Sequence, residues 1–190
     1  MNYLRESTES QNTAPFEKQH DGIPALRKAA SLKRPGKDGI LDVNSLLTLE
    51  RINEVEMMCA RSNPIYGQIS GFGIALYVLG CLNAKELLSV DDLDACDAAA
   101  ILRENFVEVD RMDLPPGYKI ATDAERYLMV LGDPVCPCHF AVVVDTESKR
   151  PFFSKLRYFG SGFDSLEELI DDYLDEGIRS YEDVHYFKLI

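Results

Sequence analysis

Tryptophan is absent from this 190-residue chain, histidine occurs three times, and basic side chains are scarce, with 20 Lys and Arg against 32 Asp and Glu. A duplex nucleic-acid binder needs clustered Lys and Arg to meet phosphate, so a net charge of −12 argues against that class. An anionic membrane surface is disfavoured for the same reason. No apolar run reaches the length of about 18 residues that a spanning helix requires. The opening residues Met1-Asn2-Tyr3-Leu4-Arg5-Glu6 lack the apolar stretch of a Sec-type signal peptide. Five cysteines, an odd number at irregular spacing, suggest no disulfide framework and fit a reducing compartment. These absences predict a cytoplasmic, thiol-bearing protein, or one secreted by a non-Sec route that reads a polar N-terminus. Neither a nucleic-acid nor a membrane partner is expected.

What is present is ordinary globular composition, 46% hydrophobic and 27% charged, enough for one domain with its own core. Charge is unevenly spread. Residues 1–40 hold seven basic and five acidic side chains, whereas residues 41–190 carry a net −14. The first segment, with its Ser, Thr, Asn, Gln and Pro, reads as a polar, disordered arm, with a short helix over 26–32 ended by Pro35-Gly36. From 43 to about 61, Leu46, Leu47, Ile52, Val55, Met58 and Cys59 recur at helical spacing, with Glu50, Arg51, Asn53 and Glu54 outward. Residues 74–82 have no polar face, which predicts a helix buried on all sides. Ser89-Val90-Asp91-Asp92 resembles a capping box for a helix running to about Arg103.

Strands are expected at 106–109, 127–131, 139–144, 152–159 and 185–190, and a capped helix at Ser165 with Leu166, Leu169, Ile170, Tyr173 and Leu174 on one side, stopped by Gly177. Helices first and then mostly strands, without βα alternation, make the fold class α+β.

Three histidines leave few routes to acid–base chemistry. His20 lies in the arm, and His185 opens the last strand without an evident partner. His139 opens the most apolar strand of the chain, where a titratable group at a strand mouth can serve as a base or can simply be a satisfied strand end. Ser70 sits where the buried helix begins, among N–H groups and a macrodipole that favour negative charge. A cysteine there would have its thiolate stabilised. Gln68 stands two residues earlier, where its amide can reach a developing oxyanion.

Gln68, Ser70-Gly71, Ile74-Ala75-Leu76 and His139-Phe140-Ala141-Val142-Val143-Val144 together resemble the bacteriocin-leader and double-glycine peptidases of the papain-like cysteine peptidase superfamily. Tyr66, Ser70-Gly71-Phe72 and Pro116-Gly117 are similar to the Asp-Cys-Ser-Gly-Phe and Pro-Gly signatures of its NlpC-type cell-wall branch. The resemblance covers roughly residues 64–175. It implies a papain-like domain over 41–190, with the nucleophile opening a buried helix and the histidine opening a strand of the following sheet. It also implies a peptidase, amidase or glutamine deamidase acting on a protein or peptide substrate, such as a secreted bacterial effector. In that scheme residue 70 attacks, His139 is base and then acid, Gln68 steadies the oxyanion, and Asp164, ranked ahead of Asp145, orients the imidazole.

Two departures matter. The nucleophile position carries Ser70 in the first alignment and Ile69 in the second, and the strand at 152–159 offers no Asp or Asn. Ser70 thus stands for an inactivated cysteine, for a pseudoenzyme that keeps the groove, or for a serine nucleophile activated by His139. As written, little or no turnover is expected. The rival reading is a non-enzymatic acidic interaction protein, an immunity or adaptor protein, meeting a basic partner.

Cys136, Cys138 and His139 offer three ligands but no second spaced pair for zinc. Cys59, Cys81 and Cys96 fall on apolar helix faces and are expected in the core. No dinucleotide, phosphate-loop or calcium-loop pattern is complete, so no cofactor or metal is called for.

Overall fold

The computed structural model describes residues 43–59, 61, 69–89, 93–156, 159–178 and 180–190. The expected arm over 1–40, its helix over 26–32, His20, Tyr66 and Gln68 lie outside those residues.

Helix α1 (Val43–Met58) follows the predicted period, but its inward stripe is different. Ser45, Thr48, Ile52, Val55 and Cys59 are buried, while Leu46 and Leu47 are 43% and 44% exposed. The cause is Arg126, buried beside β2. Its Nη2 donates to Ser45 Oγ at 3.0 Å and its Nε to Thr48 Oγ1 at 3.2 Å, and its Nη1 reaches the carbonyls of Asp123 and Glu125. A buried guanidinium without acceptors costs more than two half-exposed leucines, so the helix turns its hydroxyls inward. The helix also stops at Met58, not at about Arg61.

Helix α2 (Gly71–Leu79) is the buried helix, with Gly73 to Leu79 all inside. It begins three residues earlier than its apolar run because Ser70 caps it, and it ends at Gly80, whose φ of 89° is left-handed. It packs against α1, β3 and β4.

Ser89 does not open a helix. It closes a short α3 (Ala84–Ser89), which starts from a reciprocal box: Asn83 Oδ1 accepts from the Glu86 N–H, and Glu86 Oε2 from the Asn83 N–H. Helix α4 (Ala95–Asn105) is capped by Asp94 instead. Cys96 is exposed on it and Cys81 is half-buried after α2, so only Cys59 of the three is a full core thiol.

The described strands β1 (Phe106–Val109), β2 (Tyr127–Leu131), β3 (His139–Val143), β4 (Phe152–Lys155), β5 (Ser161–Asp164) and β6 (Val184–Leu189) form one antiparallel sheet in the order β1-β6-β2-β3-β4-β5. The α+β class expected from the sequence is therefore present, with helices leading and an antiparallel sheet following. Two strands differ from expectation. β4 stops at Lys155, and Ser161–Asp164 forms a separate edge strand, β5, that the sequence did not predict. There a Cβ on Gly162 would lie 2.9 Å from Arg61 Nε, so a larger residue would push on the arginine that reaches Asp164.

Every residue of β2 and β3 is buried, so both faces of the sheet centre are covered. Phe140 meets Phe72 of α2 edge-on at 4.9 Å. His139, at the first position of β3, stacks on Tyr173, just past α5 (Leu166–Asp172). The capping box at Ser165 and Glu168 and the stop at Gly177 form as expected. Leu174 does not join the inward side, being 49% exposed in a 3-10 turn. Among the described residues no helix is long and apolar enough to cross a membrane.

Candidate functional site

The start of α2 and the start of β3 meet at a cleft of about 630 Å³ whose walls include Ser70, Gly71, Phe72, Cys136, Cys138, His139, Lys155 and Tyr173. Two of the residues singled out in the sequence, Ser70 and His139, thus share one cleft. They do not form a dyad. Ser70 Oγ donates to the Leu93 carbonyl at 3.1 Å and accepts from the Phe72 and Gly73 N–H groups at 3.1 and 3.4 Å, which is the work of a helix cap. Its proton is directed away from the imidazole, whereas a serine nucleophile must share that proton with its base.

The α2 residue that fronts the imidazole is Gly71. A Cβ built there would lie 3.6 Å from His139 Nδ1 and Cε1, but only 2.7 Å from the Lys155 carbonyl oxygen. The place from which a side chain would reach the ring is therefore closed by the β4 backbone.

His139 is 2% exposed. Its Nδ1 is 2.8 Å from Tyr173 Oη, and the two rings stack at 4.7 Å. Its Nε2 is buried and has no hydrogen-bond partner. Burial first, and then the positive charge of Lys155, push its pKa down to about 3, so the ring is neutral at physiological pH. A neutral imidazole can accept a proton, yet one so hard to protonate makes a poor general base near pH 7.

Asp164 does not orient His139. Its carboxylate takes Arg61 Nη2 at 2.5 and 2.6 Å and the Ser154 hydroxyl at 3.4 Å. It pairs with Phe152, which pairs with Val143, four residues along β3 from His139. At about 3.3 Å per residue this is ~13 Å along the strands before two strands are crossed. Asp145, the second choice, accepts the Glu147 N–H within its turn and pairs with Lys119. The orienting position belongs to Tyr173 instead.

Cys138 points its thiol to the Glu176 carbonyl at 3.9 Å, and Cys136 is exposed. Among the described residues no three His, Cys, Asp or Glu side chains converge as metal ligands, so Cys136, Cys138 and His139 line one wall without forming such a set. His185 has a partner after all, Glu108 Oε1 at 2.9 Å, brought to it by the pairing of β1 with β6.

Sequence reasoning missed Tyr173, Lys155 and Arg61. The first had a readable signal, since a tyrosine on a buried helix stripe needs a partner for its hydroxyl. Lys155 and Arg61 had none, because the burial of Lys155 and the reach of Arg61 to Asp164 depend on how distant elements meet. A second cavity of about 310 Å³, walled by Arg111, Pro115, Pro116, Val143, Phe152 and Tyr186, contains none of the expected site residues. No protein-family model, no curated protein and no solved structure matches this chain.

Proposed function

We propose that this chain is a non-catalytic relative of the papain-like thiol hydrolases, whose cleft at the start of α2 holds a peptide without cleaving it. One observation carries the reading: the imidazole of His139 fronts a glycine whose missing side chain is walled off by the Lys155 carbonyl. The capping bonds of Ser70 and the neutral state of His139 support it further. The cleft volume falls within the range of about 300–1,000 Å³ typical of ligand sites. The net −14 of residues 41–190 favours a partner of basic overall charge. The hydrolase alternative, with cysteine at position 70, is favoured by a single fact, that Ser70 and His139 line the same cleft.

The test compares wild type with Ser70→Cys and with Ser70→Cys, His139→Ala. Each is treated with iodoacetamide, mapped by mass spectrometry, and assayed for hydrolysis of a mixed peptide pool. The introduced thiol is expected to alkylate no faster than the exposed Cys96 and Cys136, with no hydrolysis in any variant. Rapid alkylation at position 70 that His139→Ala suppresses would restore the hydrolase reading, as would wild-type hydrolysis that Ser70→Ala abolishes.

A further inference from the structure

We infer that the second cavity, beside the 3-10 turn Arg111–Asp113, binds a small organic acid, its carboxylate held by the Arg111 guanidinium and the Tyr186 hydroxyl and its apolar body against β3 and β4. This cavity shares no wall residue with the cleft at the start of α2, so the inference does not rest on how that cleft is read.

Sheet register builds one side of the cavity. Tyr186 of β6 pairs with Met129 of β2, which pairs with Ala141 of β3; two residues on, Val143 pairs with Phe152 of β4. Side chains directly across a ladder, or two apart along a strand, share a face, so Tyr186, Val143 and Phe152 line the space together. Val109, the β1 partner of Tyr186, stands two residues before Arg111, so the chain leaves β1 beside the tyrosine. Asp110 then caps the turn, its Oδ1 accepting from the Met112 N–H at 3.1 Å, and Leu114 and Pro115 continue the wall.

Two polar side chains converge there. Tyr186 is 5% exposed, and its hydroxyl has no hydrogen-bond partner among the described residues. The described side-chain atoms sealed from solvent without a partner are His139 Nε2 and Ser161 Oγ. Tyr186 Oη is not one of them, so it opens to solvent, and the opening its side chain lines is this cavity. A tyrosine buried to this extent ordinarily bonds its hydroxyl, which leaves a donor in want of an acceptor. Burial raises the Tyr186 pKa, keeping the phenol protonated, and the Arg111 charge opposes that rise, so the guanidinium lies within electrostatic reach of the hydroxyl. Arg111 is exposed and makes no hydrogen bond or ion pair with a described residue. Of the nearby carboxylates, Glu167 accepts from Tyr181 Oη at 3.2 Å, and Glu147, which also lines the cavity, pairs with Lys119 at 3.4 Å.

The walls select the ligand class. Among the described residues that line the cavity Arg111 is the one basic side chain, which suits a single negative charge better than a phosphate dianion. A guanidinium fork matches a carboxylate with two parallel N–H···O bonds. Leu114, Val143, Pro151 and Phe152 supply apolar surface that an inorganic anion would leave unused. A volume of about 310 Å³ is at the small end of the range of about 300–1,000 Å³ for ligand pockets, so the acid is a small molecule. The net charge of −12 opposes any anion at long range, but physiological salt screens exposed charges beyond about 8 Å, and within that distance the guanidinium dominates.

The experiment titrates the full ¹⁵N-labelled chain and follows backbone amides by NMR. Four probes are used: phenylacetate, phenylacetamide, acetate, and an N-acetylated tripeptide ending in phenylalanine. Phenylacetate should shift the amides of residues 111–113 and 143–147 saturably. Phenylacetamide should bind about tenfold more weakly, having lost the charge-assisted bonds. Acetate, without the apolar body, and the tripeptide, too large for the space, should also bind more weakly. Arg111→Gln should cost phenylacetate about tenfold in affinity, and Tyr186→Phe, which removes one oxygen, about fivefold. Neither change empties the core, since Arg111 is exposed and phenylalanine keeps the ring.

No saturable shift, equal binding of acid and amide, acetate or the tripeptide matching phenylacetate, or unchanged affinity in either variant would each overturn the inference. So would shifts confined to Gly71–Gly73, which would put the acid in the other cleft. Hydrolysis of a peptide bears on the α2 cleft alone and leaves this site standing.

Discussion

His139 and Gly71 define the cleft floor, and each makes a separate prediction. The unfolded histidine takes up a proton near pH 6.5, whereas the folded ring resists until about pH 3 because burial and Lys155 oppose its charge. Between those values the unfolded state binds more protons, so stability falls as pH falls, by up to roughly 1.4 kcal/mol per pH unit. Urea unfolding of wild type and His139→Asn from pH 4 to 7.5 should show wild type losing stability relative to the variant on the acid side. Parallel curves would mean that the ring titrates normally. Gly71→Ala places a methyl 2.7 Å from a backbone oxygen. Overpacking of this kind costs about 1–3 kcal/mol, and at this chain length lowers Tm by about 2–4 °C per kcal/mol. Gly177→Ala is the comparison, since it meets open space and bears only the strain of a φ of +97°. Calorimetry should find Gly71→Ala the more damaging, and the reverse order would mean that the β4 wall yields.

At the scale of elements, the Arg61–Asp164 pair ties the segment after α1 to the edge strand β5. Asp164 is 2% exposed, so Arg61→Ala leaves a buried carboxylate without its counter-charge, a loss of about 3–5 kcal/mol. Arg61→Ala with Asp164→Asn should recover part of that loss in urea titrations, because an amide needs no counter-charge. If the double variant were no better than the single, the pair would be an ordinary surface bridge. The last strand makes a second case. Although β6 ends the chain, it lies between β1 and β2, so removing residues 184–190 separates β1 from the rest of the sheet. That truncation should abolish cooperative unfolding by circular dichroism, whereas retained cooperativity would show that β2 to β5 and the helices suffice.

At the scale of the whole molecule, a net charge of −12 means self-repulsion that salt relieves. Raising NaCl from about 10 mM to about 150 mM shortens the Debye length from about 30 Å to about 8 Å, and Tm should rise. A falling Tm would show that ion pairs such as Arg150–Glu168 and Lys188–Glu125 outweigh the repulsion. Local chemistry was legible along the chain wherever a few neighbouring residues decide the outcome: the all-apolar α2, the continuous strand of β3, the box at Ser165 and Glu168, and the stop at Gly177. It misled where a distant group intervened. Arg126 turned Leu46 and Leu47 outward, Asn83 and Asp94 displaced the expected cap at Ser89, and pairing with β4 made a strand of Ser161–Asp164.

The amino-acid order alone therefore determined the α+β class, the buried helix and the strand that carries His139, because period and propensity act over short spans. Only the tertiary structure decided what His139 faces: Tyr173 from 34 positions later on Nδ1, and Gly71 backed by the Lys155 carbonyl. Those contacts depend on how β3, β4 and α2 converge in space, and no local pattern encodes such a meeting.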